Sequence, residues 1–240
     1  MLNLVATPIG NLSDISNRAL TTLNESDLVV SEDTRKTGFL LKHFSISKPQ
    51  LSFRIDNEQR VLGKILGLLE QGKMIALVTD SGTPGISDPG FLVVRAALER
   101  GFEVSAVPGP TAFVMALILS GLPLHSFTFR GFPPHKAGPR KRFLAVDAES
   151  LHTLVYYESP YRLKVFLKDV FEIFGDRQAA IANDLTKKFE QVRRGAISDL
   201  IAIYENEIPR GEYSVVIEGC TGSGLKMSPQ PVKVKRVPRS

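Results

Sequence analysis

The chain has 240 residues, 43% hydrophobic and 23% charged, a globular balance that excludes general disorder and gives room for two domains with full cores. Its single cysteine, Cys220, excludes an intrachain disulfide framework and any multi-cysteine zinc or iron–sulfur site within one chain. The net charge of +5 belongs to residues 221–240, which carry Lys226, Lys233, Lys235, Arg236 and Arg239 and no acid; the body is neutral, so nucleic-acid binding cannot be argued from global charge.

Taken in chain order, short apolar runs alternate with amphipathic ones. Leu2–Ala6 reads as a strand ended by Thr7-Pro8. Helical spacing follows over 15–23, then a strand at Leu28–Val30 and helices over 34–43 and 57–70. Met74–Val78 is a buried-type strand ending in Gly/Pro-rich sequence. A helix near 90–99, a strand at 102–107 and a helix after Pro110 complete the first half. Residues 130–142, RGFPPHKAGPRKR, read as a linker or long loop. Beyond them the pattern predicts strands at 153–157, 178–182, 192–197 and 213–218, with helices at 160–174 and 198–206.

This alternation predicts an α/β fold of two α/β domains, residues 1–125 and 126–220, followed by a basic, disordered tail over 221–240. No run approaches the about 18 apolar residues of a membrane span. The N-terminus has neither a basic n-region nor a cleavage site, so the expected location is the cytoplasm. The four histidines show no HxxxH or HxH pairing, and no metal site is expected. GxSxG, GxxxxGK[ST] and a first-strand Rossmann turn are all missing.

The densest segment is Thr79–Gly90, TDSGTPGISDPG, between a buried strand and a helix. Ligands of open α/β sheets bind at the carboxyl ends of strands, and glycines there let backbone approach a ligand. Ser81, Thr83 and Ser87 offer hydroxyls; Asp80 and Asp88 offer carboxylates. Asp88 is equally suited to capping the next helix, with Pro89 at its first position. Val107–Ala112, VPGPTA, repeats the design of strand end, tight turn and helix start.

These turns, with VATPIGNLSDIS, SEDTR, SGLP, YESPYRL and the LTK…E…RG run, resemble the tetrapyrrole-methylase-like S-adenosylmethionine (SAM) methyltransferases, and within them the branch acting on small-subunit ribosomal RNA. The likeness spans about residues 2–219. It implies SAM in the cleft between two α/β domains, a homodimer, and 2′-O-methylation of a cytidine ribose in small-subunit (16S) rRNA, free or in the 30S particle. Carried over by motif, the SAM contacts would be Pro8, Ser81, Gly82, Thr83, Ile86, Thr111, Ala112, Glu158 and Asp184. Asp80 or Asp88 would supply the carboxylate that tetrapyrrole enzymes carry at the position of Thr83. Three positions depart from the pattern: Tyr161 for histidine, Asn183-Asp184 for Arg-Glu, and Pro133 for leucine. Two rival readings are a small-molecule methylase of the same fold and a catalytically silent RNA-binding protein.

Methyl transfer from a sulfonium to a ribose hydroxyl is an in-line displacement on an activated electrophile. It requires alignment, exclusion of water, and a base for the hydroxyl proton. Asp33 is the first candidate for that base, or else the N-cap of its helix, with Arg35 on an RNA phosphate. Asp88 and Lys187 come next, with Glu190. For RNA, Arg130, Lys136, Arg140, Lys141 and Arg142 give five cations without an acid, and Lys187, Lys188, Arg193 and Arg194 form a second run.

Overall fold

The computed structural model describes residues 1–54 and 56–220; the expected tail over 221–240 lies outside them. In chain order the elements are β1 (Leu2–Val5), α1 (Asn17–Glu25), β2 (Leu28–Ser31), α2 (Thr34–His43), β3 (Gln50–Ser52), α3 (Glu58–Glu70), β4 (Ile75–Leu77), α4 (Phe91–Glu99), β5 (Val104–Val107) and α5 (Ala112–Ser120). The second half adds β6 (Phe127–Gly131), α6 (Ala137–Ala145), β7 (Thr153–Glu158), α7 (Leu163–Phe174), β8 (Gln178–Asn183), β9 (Gln191–Ala196), α8 (Ile197–Glu205) and β10 (Tyr213–Ile217). They form two five-stranded sheets, as expected for two α/β domains.

The first sheet is parallel, in the order β3-β2-β4-β1-β5. Strand alternation divides its side chains between two cores. Ile75 and Leu77 of β4 pack with Val61, Ile65 and Leu69 of α3 and Val93 and Ala97 of α4. Ala76 and Val78 face the other way, onto Ala19 and Leu23 of α1 and Leu41 of α2. Because β4, β1 and β5 are neighbours, the loops at their carboxyl ends are neighbours too.

The second sheet is mixed, in the order β6-β7-β10-β8-β9, with β6 and β7 parallel and the other pairs antiparallel. Leu154 and Tyr156 of β7 join Phe166, Leu167 and Val170 of α7 and Leu200 of α8 in its larger core. Val155 points to the opposite face, where Ala116 and Leu117 of α5, Ala180, Val216 and Ile9 meet. Helix α5 thus follows a strand of the first sheet but packs on the second.

The segment read as a linker or loop over 130–142 is structured instead. Its first residues end β6, and Ala137–Ala145 is a helix. Pro139 does not break α6 because it sits in the first turn, where backbone N–H groups have no helical partner. Helical spacing turns Arg140 inward: its Nε donates to Asp169 at 2.6 Å, its Nη1 to the His135 carbonyl at 2.9 Å, and its side chain is only 5% exposed. Lys141 pairs with Glu172 at 2.6 Å, and Arg130 with Asp147 at 2.7 Å while lying over the Phe143 ring. Of the five cations predicted to meet RNA, Lys136 and Arg142 are exposed, Arg130 and Lys141 are half-buried and Arg140 is buried. Removing one member of a buried pair strands the other charge, so Arg140→Ala should lower unfolding free energy by about 3–5 kcal/mol. A urea titration checks this; an unchanged midpoint would return Arg140 to the surface.

Candidate functional site

Three loops meet at the carboxyl ends of β4, β1 and β5. Thr7 and Gly82 exchange backbone hydrogen bonds of 2.9 and 3.1 Å, forming a short antiparallel bridge. Gly82 has φ +87°, which L side chains rarely adopt. The Thr83 and Thr111 hydroxyls lie 2.7 Å apart, joining the loop after β4 to the start of α5. At that start the Phe113 N–H donates to the Tyr157 hydroxyl at 3.1 Å, which ties α5 to β7.

These contacts enclose a cavity of about 280 Å³ between the two sheets, close to the lower end of small-molecule sites. Ser81, Gly82, Thr83, Ile86, Asp88, Thr111, Ala112 and Glu158, all singled out in the sequence, line it together. Ile9, Phe132, Tyr157 and the Gly211–Ser214 segment line it as well and were missed. The last of these reach the site because β10 is central in its sheet and pairs Tyr213 with both Glu158 and Asn183. Only the Gly-Glu-Tyr-Ser start of a strand hinted at them. Pro8 and Asp80 border a second, smaller cavity on the other side of the Thr7–Gly82 bridge. Asp184 stands just behind the first cavity, where its carboxylate accepts from the Glu212 N–H at 3.4 Å and pairs with Lys187 at 3.3 Å.

Glu158 is the most buried acid of the site, at 1% exposure. One carboxylate oxygen accepts from the Ser159 N–H at 2.7 Å and pairs with Arg162 at 2.8 Å. Its other oxygen is buried without a partner. Burial raises its pKa, against the pull of the Ser159 N–H and the Arg162 charge.

A second group of acids, Glu32, Asp33, Asp80 and Asp88, gathers where β2 and β4 end. Burial, reinforced by the charges of Glu32 and Asp80, pushes Asp88 up to about 7. Burial also raises Glu32, with Asp80 next in effect. Asp80 is tied down: it accepts from the Asp33 N–H at 2.9 Å and pairs with Lys36 at 2.7 Å.

Asp33, the first candidate for a proton acceptor, takes the alternative place read for it, the N-cap of α2. Its side chain accepts from the Arg35 N–H at 2.9 Å, and the Arg35 guanidinium grips both its oxygens. Those hydrogen bonds, the guanidinium's first, hold its carboxyl far below the usual range, which leaves it little affinity for a proton. Arg35 forms this pair with its side chain 89% exposed. Lys187 is held by two acids. Burial opposes its charge, but Glu212 at 2.8 Å and Asp184 outweigh burial and raise its pKa. Glu190 accepts from the Thr186 N–H at 2.6 Å. In the second basic run, Arg193 pairs with Glu207, Arg194 is exposed and donates to the Leu119 carbonyl at 2.8 Å, and Lys188 is exposed beside Phe189.

Among the described residues no group of three or more His, Cys, Asp or Glu is placed to hold a metal ion, and no helix is long and apolar enough to cross a membrane.

Residues 1–201 match the family model described as Tetrapyrrole (Corrin/Porphyrin) Methylases. The chain is 44% identical over 218 residues to ribosomal RNA small subunit methyltransferase I of Thermotoga maritima, covering 91% of this chain and 98% of that one. The protein of that name from a Synechocystis species is 45% identical over 222 residues, 92% of this chain and 80% of its own length. In fold the chain resembles the crystal structure of uroporphyrin-III-C-methyltransferase from Thermus thermophilus. The TM-score is 0.61 at 22% identity, over 90% of this chain and 93% of that one. With its two sheets, its three loops and these relatives, the chain belongs to the tetrapyrrole (corrin/porphyrin) methylase family, in the branch of the ribosomal RNA small subunit methyltransferases I.

Proposed function

We propose that this chain is an S-adenosylmethionine-dependent methyltransferase of small-subunit (16S) rRNA, acting on the 2′-hydroxyl of a cytidine. The observation that carries the reading is the cavity between the sheets. It combines a close backbone approach at Gly82, an orphaned buried carboxylate oxygen on Glu158, and a carboxyl poised near neutrality on Asp88. The first two suit a cofactor rich in hydrogen-bond donors, and the acids suit a cationic sulfonium. Ser81, Gly82, Thr83, Ile86, Thr111, Ala112 and Glu158 would hold S-adenosylmethionine, which supplies a methyl group on that sulfonium. Pro8 and Asp80 line the smaller cavity next to those loops, and Asp184 braces Glu212 at the wall of the large one.

Asp88 is the proton acceptor for the attacking hydroxyl. Its affinity for a proton is matched to neutral pH, where general bases act best. The RNA phosphates meet Lys136, Arg142 and Lys188, while exposed Phe132 and Tyr161 near the cavity mouth offer faces on which unpaired bases stack. An rRNA substrate, free or in the 30S particle, puts the reaction in the cytoplasm. The active form is a homodimer. Val114, Met115 and Ile118 of α5, with Leu124 before β6 and Phe127 at its start, leave large apolar side chains exposed. Light scattering at micromolar concentration should give twice the 26.4 kDa chain mass; a monomer would count against the dimer.

The test of function is methyl transfer from labelled S-adenosylmethionine to 30S particles and to naked 16S rRNA, followed by mapping of alkali-resistant 2′-O-methyl positions. One new ribose methyl on a cytidine is the expected result. A methyl on a base, or none, would overturn it.

A further inference from the structure

The bridge between Thr7 and Gly82 is a partition with a cavity on each side. Ile9, Ser81 and Gly82 face the large cavity, whereas Pro8, Thr79 and Asp80 face a smaller one of about 160 Å³. The smaller cavity is closed by residues of α2, among them Lys36, Phe39 and Leu40. It is chemically unlike its neighbour. The Asp80 carboxylate and the Lys36 ammonium stand side by side at 2.7 Å, one an acceptor and the other a donor. Asp80 is fixed by the Asp33 N–H, and the Lys36 side chain reaches it from the exposed face of α2. Phe39 on the rim is 68% exposed, which leaves a ring face open to a ligand.

We propose that the smaller cavity receives the base of the substrate nucleotide and selects cytosine over uracil through Asp80 and Lys36. This rests on the reading of the chain as a ribose methyltransferase. Cytosine presents an amino donor beside a ring-nitrogen acceptor; uracil presents a carbonyl acceptor beside an N–H donor. With the ribose held over the partition the base has a single register, with position 4 at Asp80 and N3 at Lys36, and in that register only the first pattern complements a carboxylate next to an ammonium. Uracil would set its carbonyl against the Asp80 carboxylate and its N–H against the Lys36 ammonium. Phe39 supplies a ring face for stacking, as enzymes that read an extruded base require. A nucleotide with its base on this side lays its ribose over the partition, toward Asp88 on the other side.

Single-turnover transfer at saturating S-adenosylmethionine tests this on two rRNA fragments, one with cytidine and one with uridine at the mapped position. The wild type should favour cytidine by about 100-fold. Lys36→Met keeps the apolar stem, removes the donor, and should cut that preference to about tenfold or less. Phe39→Ala alters an exposed side chain. It should raise the RNA KM by about tenfold for both fragments and leave cofactor affinity unchanged. Equal transfer by the wild type to cytidine and uridine overturns the base assignment alone. Full cytidine preference in a folded Lys36→Met protein that binds cofactor does the same. Absence of transfer to either fragment overturns the functional reading, and this assignment with it.

Discussion

Asp88→Asn should lower turnover by about 10²–10⁴-fold while leaving S-adenosylmethionine and RNA affinities near wild type. Asparagine fills the same space but cannot accept the hydroxyl proton. The wild-type pH profile should carry the same signature. Below about 7 the rate should fall tenfold per pH unit as Asp88 becomes protonated, and above it the rate should level off. In Asp88→Asn that inflection should vanish. Stability moves the other way. The folded pKa lies above the ordinary value of 3.8, so the folded state holds this proton more tightly than the unfolded chain. Stability from this group is present in full below 3.8 and is lost as pH rises towards about 7. At pH 8 the asparagine variant should therefore melt no lower than wild type. Asp33→Asn is the matched control, because asparagine caps a helix as well as aspartate does and turnover should survive. Normal turnover in Asp88→Asn would move the proton acceptor elsewhere.

Gly82→Trp should abolish S-adenosylmethionine binding, raising Kd by more than about 100-fold, in a protein that still folds. A Cβ built at Gly82 lies 3.4 Å from Ile9 Cγ2 and 3.6 Å from the Pro110 carbonyl, ordinary contacts that a methyl tolerates but that leave an indole only the cavity to occupy. The positive φ adds about 1–2 kcal/mol of strain for any L residue. Gly82→Ala carries that strain with almost no bulk, which separates backbone cost from blockage: it should melt slightly lower yet still bind cofactor. Glu158→Gln is milder than Gly82→Trp. It replaces a charged acceptor with a neutral one, and a charge-assisted hydrogen bond of this kind corresponds to about tenfold in Kd. Calorimetric titration reads all three. A folded Gly82→Trp protein with unaltered affinity would place the cofactor elsewhere.

Much of this site was legible in the sequence because its ligand-facing residues follow strands directly. The Thr79–Gly90 and Val107–Ala112 turns declare themselves through glycine, proline and hydroxyl residues, and both line the cavity. Residues 211–214 did not, since they reach the site through antiparallel pairing with β7 and β8, which no local pattern encodes. β3 was missed because Gln50-Leu51-Ser52 is three half-buried residues at a sheet edge. β6 and α6 were missed because Gly131, Pro133, Pro134 and Pro139 read as breakers, although the prolines fall between the elements or in a first helical turn. The basic run misled for a related reason. Charge in a list of residues carries no direction, and helical turning sent Arg140 into Asp169 instead of solvent. Asp33 and Asp88 were equivalent as letters; the neighbouring Arg35 and the neighbouring acids made them opposites.

Helix α5 leaves one sheet by its chain connection and joins the other by its packing. A cut after residue 125 would leave the amino-terminal fragment carrying a helix whose apolar face has lost its cover. The carboxyl-terminal fragment would keep an uncovered sheet face around Val155, Ala180 and Val216. A cut before Thr111 restores both surfaces but severs the wall of the cavity. The two halves are therefore interdependent lobes rather than exchangeable modules, and grafting either onto another scaffold requires taking α5 and its strand together.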